Sequence, residues 1–125
     1  MFRRGVEAVN AADVDAALEV VHPEIEFLPA RSAVQGAYRG HDGIRRFFED
    51  NKENFELFRG TYPELRHVAP DRMVALGTVR VRGKASGVEA EVPSAILIDF
   101  REGQIVRFED LGDEWTAMTM ARARD

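Results

Sequence analysis

Apolar positions recur along this chain with two periods. Residues 3–11 place Val6, Val9 and Asn10 near one face of a short amphipathic helix. Asp13 then stands where an N-cap belongs, ahead of DVDAALEVV, in which Val14, Leu18 and Val21 fall at helical spacing. His22-Pro23 ends that pattern, because a residue before proline avoids helical angles. EIEFL (24–28) reads as a short strand, followed by the loop PARSAVQGAYRG. A third helix is expected over 42–54, with His41 as its cap and Ile44, Phe47 and Phe48 pointing inward.

From residue 56 the period changes to two. Strands are expected at 56–69, 72–83, 88–101 and 104–111, joined by tight connections at Asp71-Arg72, 84–87 and Glu102-Gly103. Asp113 caps a last short helix, in which Trp115 serves as the anchor. In 72–83, Val74, Leu76, Thr78, Arg80 and Arg82 share one face, opposite Met73, Ala75, Gly77, Val79 and Val81. In 92–100, Ser94, Ile96, Ile98 and Phe100 oppose Ala95, Leu97 and Asp99, so both faces are apolar. Such a sheet needs cover on both sides: helices on one and, by expectation, a second subunit on the other. Pro93 within that strand implies a bulge or an unpaired position. Three helices followed by a meander of long strands is an α+β layout.

Composition narrows the function classes. The 125 residues suit one domain over 1–125, and 45% hydrophobic content with eight Phe suffices for a core. A net charge of −5 leaves no basic face for nucleic acid. No apolar run is long enough to cross a membrane, and the N-terminus lacks a signal-like stretch. The absence of cysteine excludes disulfide and thiolate chemistry and suits a cytoplasmic protein. His22, His41 and His67 have no ligand spacing, so no metal is expected.

One polar residue stands out. In IVRFEDLGD (105–113), Asp110 aligns by parity with Val106 and Phe108, on a face that should be buried. A carboxylate there is either a solvated strand-end charge or an acid–base group at an apolar cavity. Arg80 is its candidate partner, since a buried charge needs compensation; the alternative is that Arg80 lies beyond the pocket mouth with its head in water.

The order of motifs VNAADVDAALEVVHPEIEF, YRGHDGIRRFF, VRVRGKASGVEAEVPSA and REGQIVRFEDLGD resembles the SnoaL-like, polyketide-cyclase-like branch of the nuclear transport factor 2-like superfamily. The resemblance implies a cone-shaped, curved, mostly antiparallel sheet with three N-terminal helices on its concave face, an apolar pocket, and a homodimer formed through the sheet. It implies no cofactor. The ketosteroid isomerase site of that superfamily is missing: Gly5, Leu28 and Ile96 stand where its tyrosine, base and acid would be. The polyketide-cyclase pattern G-K-I-V-x-x-W-D, by contrast, lays its aspartate onto Asp110 of Gly103-Gln104-Ile105-Val106-Arg107-Phe108-Glu109-Asp110.

The expectation is therefore a pocket protein for a small apolar molecule, with Asp110 as the acid–base group, Arg80 as its partner, and a ligand surface of Leu28, Arg31, Tyr38, Phe48, Thr78, Ile96, Ile98 and Phe108. The competing expectation is a non-catalytic binding or homodimerisation module.

Overall fold

A computed structural model describes residues 1–29 and 36–123. The described elements run α1 (Phe2–Asn10), α2 (Val14–Val20), β1 (Val21–Leu28), β2 (Tyr38–Arg39), α3 (Gly40–Asn54), β3 (Phe55–Ala69), β4 (Arg72–Gly83), β5 (Glu89–Arg101), β6 (Gln104–Asp110) and α4 (Glu114–Ala123). The strands form one sheet in the order β2-β1-β6-β5-β4-β3. The β1–β6 pair is parallel and the other pairings are antiparallel. No helix among the described residues is long and apolar enough to cross a membrane.

The expected α+β fold is present, and its caps explain the helix starts. Asp13 accepts the Ala16 N–H at 3.1 Å, and Asp113 accepts the Thr116 N–H at 2.8 Å. The third cap differs from expectation. Arg39 holds the N-cap position of α3, while His41 sits in the first turn with its Nε2 3.1 Å from the Val21 carbonyl. β1 also begins earlier than expected, at Val21. Its register on β6 shifts between Val21 and Glu26, so Pro23 lies in a bulge, where His22 Nδ1 accepts the Glu24 N–H at 3.0 Å.

The sheet divides the core in two. On the inner face, α1, α2 and α3 bury Phe2, Ala17, Val20 and Phe47 against Met73, Ala75, Ile96, Ile98 and Ile105. On the outer face, α4 packs Ala117 and Ala121 onto Val74, Ala95 and Leu97. This helix covers part of the surface expected to await a second subunit. Trp115 does not anchor it: the indole is 75% exposed, and the small alanines face the sheet instead.

Two further bulges decide which side chains face inward. In β3, Thr61 pairs with Thr78 and Glu64 with Leu76, so Tyr62 and Pro63 together oppose Gly77. Phe58, Gly60 and Tyr62 therefore share the inner face before the bulge, and Leu65 takes it afterwards. A Cβ on Gly77 would stand 1.8 Å from the Thr61 carbonyl oxygen, so only glycine admits this close approach. In β6, Phe100 pairs with Ile105 but Asp99 with Arg107, leaving Val106 as the extra residue. Parity thus reverses, and Ile105 and Phe108 both point inward while Val106 points out. Pro93 pairs with Thr78 on β4 without a bulge, and only its other side is unpaired, since the β5–β6 ladder stops at Ile96↔Asp110.

The bulge account predicts that Gly77→Ala costs about 3 kcal/mol or more, because the clash is with backbone that cannot rotate away. Gly5→Ala on α1 meets Val20 only at an ordinary 3.6 Å and is expected to be neutral or to stabilise by up to about 1 kcal/mol. Urea denaturation of both variants checks the contrast; similar midpoints would contradict it.

Candidate functional site

Between the inner face of the sheet and the three helices lies a cavity of about 250 Å³. Its wall is almost wholly apolar because the bulges and helices converge aromatic rings on it. Of eight Phe in the chain, seven line it: Phe2, Phe27, Phe47, Phe48, Phe55, Phe58 and Phe108. The rings are packed on one another, which fixes the wall. Phe27 stacks on Phe108 with centroids 4.6 Å apart, and Phe47 lies 4.6 Å from Phe27. Phe2 meets Tyr62 edge-on at 5.4 Å. Val92, 42% exposed, also lines the cavity and so marks its opening.

Among the described residues three polar side chains interrupt this wall: Asn10, Tyr62 and Asp110. Asn10 is spent on backbone. Its Oδ1 accepts the Gly60 N–H and its Nδ2 donates to the Gly60 carbonyl, each at 2.9 Å, so the side-chain amide mimics a strand partner at the β3 edge. A Cβ on Gly60 would stand 2.8 Å from the Tyr62 ring, so glycine at this position also leaves room for the tyrosine.

Asp110 is the one acidic side chain among the described residues lining the cavity. It is half-buried and accepts three hydrogen bonds: Ser94 Oγ at 2.6 Å on Oδ2, and the N–H groups of Ala95 at 3.2 Å and Gly112 at 3.0 Å on Oδ1. Ser94, 2% exposed, stands opposite Gly77 on β5, where the missing side chain lets Tyr62 reach across β4. The Tyr62 hydroxyl lies 2.7 Å from Ser94 Oγ. Burial, reinforced by the Asp110 charge, pushes the Tyr62 phenol up to about 12.

The expected site residues separate into two groups. Asp110, Phe48 and Phe108 line the cavity. Ile96 and Ile98 face the same way but lie in the closed core beneath it. Tyr38 is buried, with its ring edge-on to Phe27 and Phe47 and its hydroxyl donating to Asp50, and it too lies outside the cavity wall. Leu28 is corrected to Phe27: parity on β1 turns Phe27 inward, while Leu28 stands beside Glu109 on the β1–β6 ladder. Arg31 lies outside the described residues.

Thr78 and Arg80 are on the opposite face. Thr78 donates to Glu91 at 3.3 Å and Arg80 pairs with Glu89 at 3.1 Å, so Arg80 is not the partner of Asp110. Hydrogen bonds from Arg82 and then Arg80 hold the Glu89 carboxyl below its ordinary value. The even-numbered half of β4 faces out, with Val74 and Leu76 packed in the outer cluster under α4, while Met73, Ala75, Val79 and Val81 are its inner set. Sequence reading missed Tyr62 and Ser94 as site residues. The signals available were Gly60 two positions before Tyr62, Pro63 after it, and a serine in line with Ile96 and Ile98.

The profile of the SnoaL-like domain matches residues 2–108. The chain belongs to the SnoaL-like domain family. Solved structures agree on the fold. A nuclear transport factor 2-like protein of unknown function from Burkholderia pseudomallei is 26% identical, with 97% of this chain and 92% of that chain covered and a TM-score of 0.77. TerC, co-crystallised with polyporic acid, is 23% identical over 98% and 95%, with a TM-score of 0.77. A Mycobacterium tuberculosis protein in complex with estradiol-17beta-hemisuccinate is 13% identical over 90% of each chain, with a TM-score of 0.75. No curated protein sequence matches the chain.

The position of Tyr62 has a consequence for alkaline stability. The folded state holds its proton up to about 12, against 10.0 ordinarily, so its contribution is complete below pH 10 and is lost as pH rises through 12. The shift corresponds to about 3 kcal/mol. Tyr62→Phe is expected to flatten the fall of unfolding free energy between pH 10 and 12. Parallel curves for the two proteins would contradict this.

Proposed function

We propose that this SnoaL-like protein binds a small apolar, ring-containing molecule in its aromatic cavity, with Asp110 as the proton acceptor for cofactor-independent acid–base chemistry. The observation that carries the proposal is one carboxylate set into a wall that is otherwise nearly all hydrocarbon. The cavity of about 250 Å³ sits just below the usual ~300–1,000 Å³ of ligand pockets, which favours a compact ligand. Relatives of the same fold have been crystallised with polyporic acid and with an estradiol hemisuccinate, both of which carry rings.

Asp110 is suited to the role by its hydrogen bonds. Ser94, Ala95 and Gly112 fix the carboxylate in place but leave a lone pair on Oδ2 for a ligand. The reaction class is proton abstraction beside a carbonyl, as in cyclisation or isomerisation, or activation of a water. A non-catalytic binding protein is the second reading. It is favoured by one feature: Tyr62, the obvious donor for a developing oxyanion, is engaged with Ser94. Association with a second copy belongs to the proposal as well. It would use the outer sheet face that α4 leaves open, where the Arg80–Glu89 and Arg82–Glu89 pairs stand.

A thermal-shift screen of small aromatic and alicyclic compounds tests the cavity. Compounds that bind wild type are expected to raise Tm by several degrees near 100 Kd, which is worth about 2.7 kcal/mol. Gly5→Leu, which projects a side chain into the cavity, should abolish those shifts. Where turnover is found, Asp110→Asn should lower it by ~10²- to 10⁴-fold. Shifts that persist in Gly5→Leu would place the ligand elsewhere, and turnover unchanged in Asp110→Asn would remove the aspartate from the chemistry. Sedimentation of the same samples reads the association: a dimer weakened by salt supports the outer-face contact, and a monomer at every concentration contradicts it.

A further inference from the structure

The polar corner of the cavity has a direction. Tyr62 keeps its phenolic hydrogen throughout the ordinary pH range, and the atom within reach of that hydrogen is Ser94 Oγ at 2.7 Å. Ser94 has a single hydroxyl hydrogen, and a carboxylate 2.6 Å away can only accept it. The chain therefore runs from Tyr62 to Ser94 to Asp110, and Ala95 and Gly112 donate to the other carboxylate oxygen. Every hydrogen in that chain is spent inside the protein. What remains for the cavity is oxygen: the phenolic oxygen of Tyr62 and the second lone pair of Asp110 Oδ2. Asn10, the other polar liner, is held to Gly60 by both ends of its amide.

We propose that this corner selects ligands by protonation state: it takes a neutral O–H or N–H donor and rejects a carboxylate or phenolate, and Ser94 sets that preference by keeping the Tyr62 hydrogen out of the cavity. The inference rests on the cavity being the ligand site. A neutral donor gains a charge-assisted hydrogen bond to Asp110 in a place where water does not compete. An anion meets the Asp110 charge across apolar surroundings, where repulsion is poorly screened, and finds no hydroxyl hydrogen in the Tyr62–Ser94–Asp110 chain to compensate. Ser94 acts as a positioning residue, since it is buried behind the wall and is absent from the cavity surface.

The probe is 4-nitrophenol, whose neutral and anionic forms differ in visible absorption. Titrating it into the protein across the dye's own pKa separates the two forms. Wild type is expected to bind only the phenol: the bound dye keeps its neutral spectrum, and affinity falls about tenfold per pH unit above the dye's pKa. Ser94→Ala releases the Tyr62 hydrogen, so the phenolate becomes a ligand and the fall flattens by at least about tenfold one to two pH units above that pKa. The double variant Ser94→Ala/Tyr62→Phe removes the donor again and restores the steep fall, an outcome that a merely structural role for Ser94 does not produce. Phenolate bound by wild type as tightly as phenol overturns the inference and leaves the cavity reading standing. A Ser94→Ala profile that superimposes on wild type does the same. Failure of wild type to bind either form contradicts the cavity reading itself, and this inference with it.

Discussion

A carboxylate at the rim of an apolar cavity must find its hydrogen-bond donors in the protein, and the surroundings of Asp110 meet that requirement from three directions. The Ala95 N–H comes from β5, the Gly112 N–H from the turn after β6, and the Ser94 hydroxyl from the inner face of the sheet. These bonds draw the end of β6 onto β5 at the point where α4 begins, and the Leu111 N–H to Ala95 carbonyl bond at 2.8 Å completes the junction. Unpaired, the same carboxylate would cost several kcal/mol. Anchored, it can stand in a hydrocarbon wall with no cation paired to it among the described residues.

The cavity itself is a product of sheet irregularity. A regular six-stranded sheet under three helices would present alternate side chains evenly and pack shut. Here the bulge at Tyr62-Pro63 increases the local twist, and the bulge at Val106 turns both Ile105 and Phe108 inward. Gly77 permits the first bulge by having no Cβ to strike Thr61. The rings that converge are braced by edge and stacked contacts, so the space between them is bounded by a stiff wall.

The elements were largely legible in the sequence because their signals are local. Asp13 and Asp113 announce two helix starts, and the period-two segments become β3 to β6 within a residue or so. The inward face of Asp110 was legible too, although by a parity argument that was wrong about Val106. A bulge shifts the count by one and carries no residue-type marker of its own, so alternation read across it assigns the far side incorrectly. Thr78 was set in the pocket and Arg80 offered as a partner for a different reason: β4 shows two half-apolar faces and no clue to which one the helices cover. Leu28 was named from the resemblance, as the residue at the position of the isomerase base, and its neighbour Phe27 is the one that lines the cavity. Ser94 and Tyr62 escaped notice because their role exists only in their meeting, 32 residues apart in the chain.

The account centres on a preformed, ligand-sized space beside Asp110, and the most direct measurement is a crystal structure of the protein pressurised with xenon. The expected result is electron density for the gas inside the ring of Phe27, Phe47, Phe58 and Phe108, with those side chains unmoved. A structure without xenon there, in which the phenylalanines have closed over Asp110 and filled the space, would contradict it.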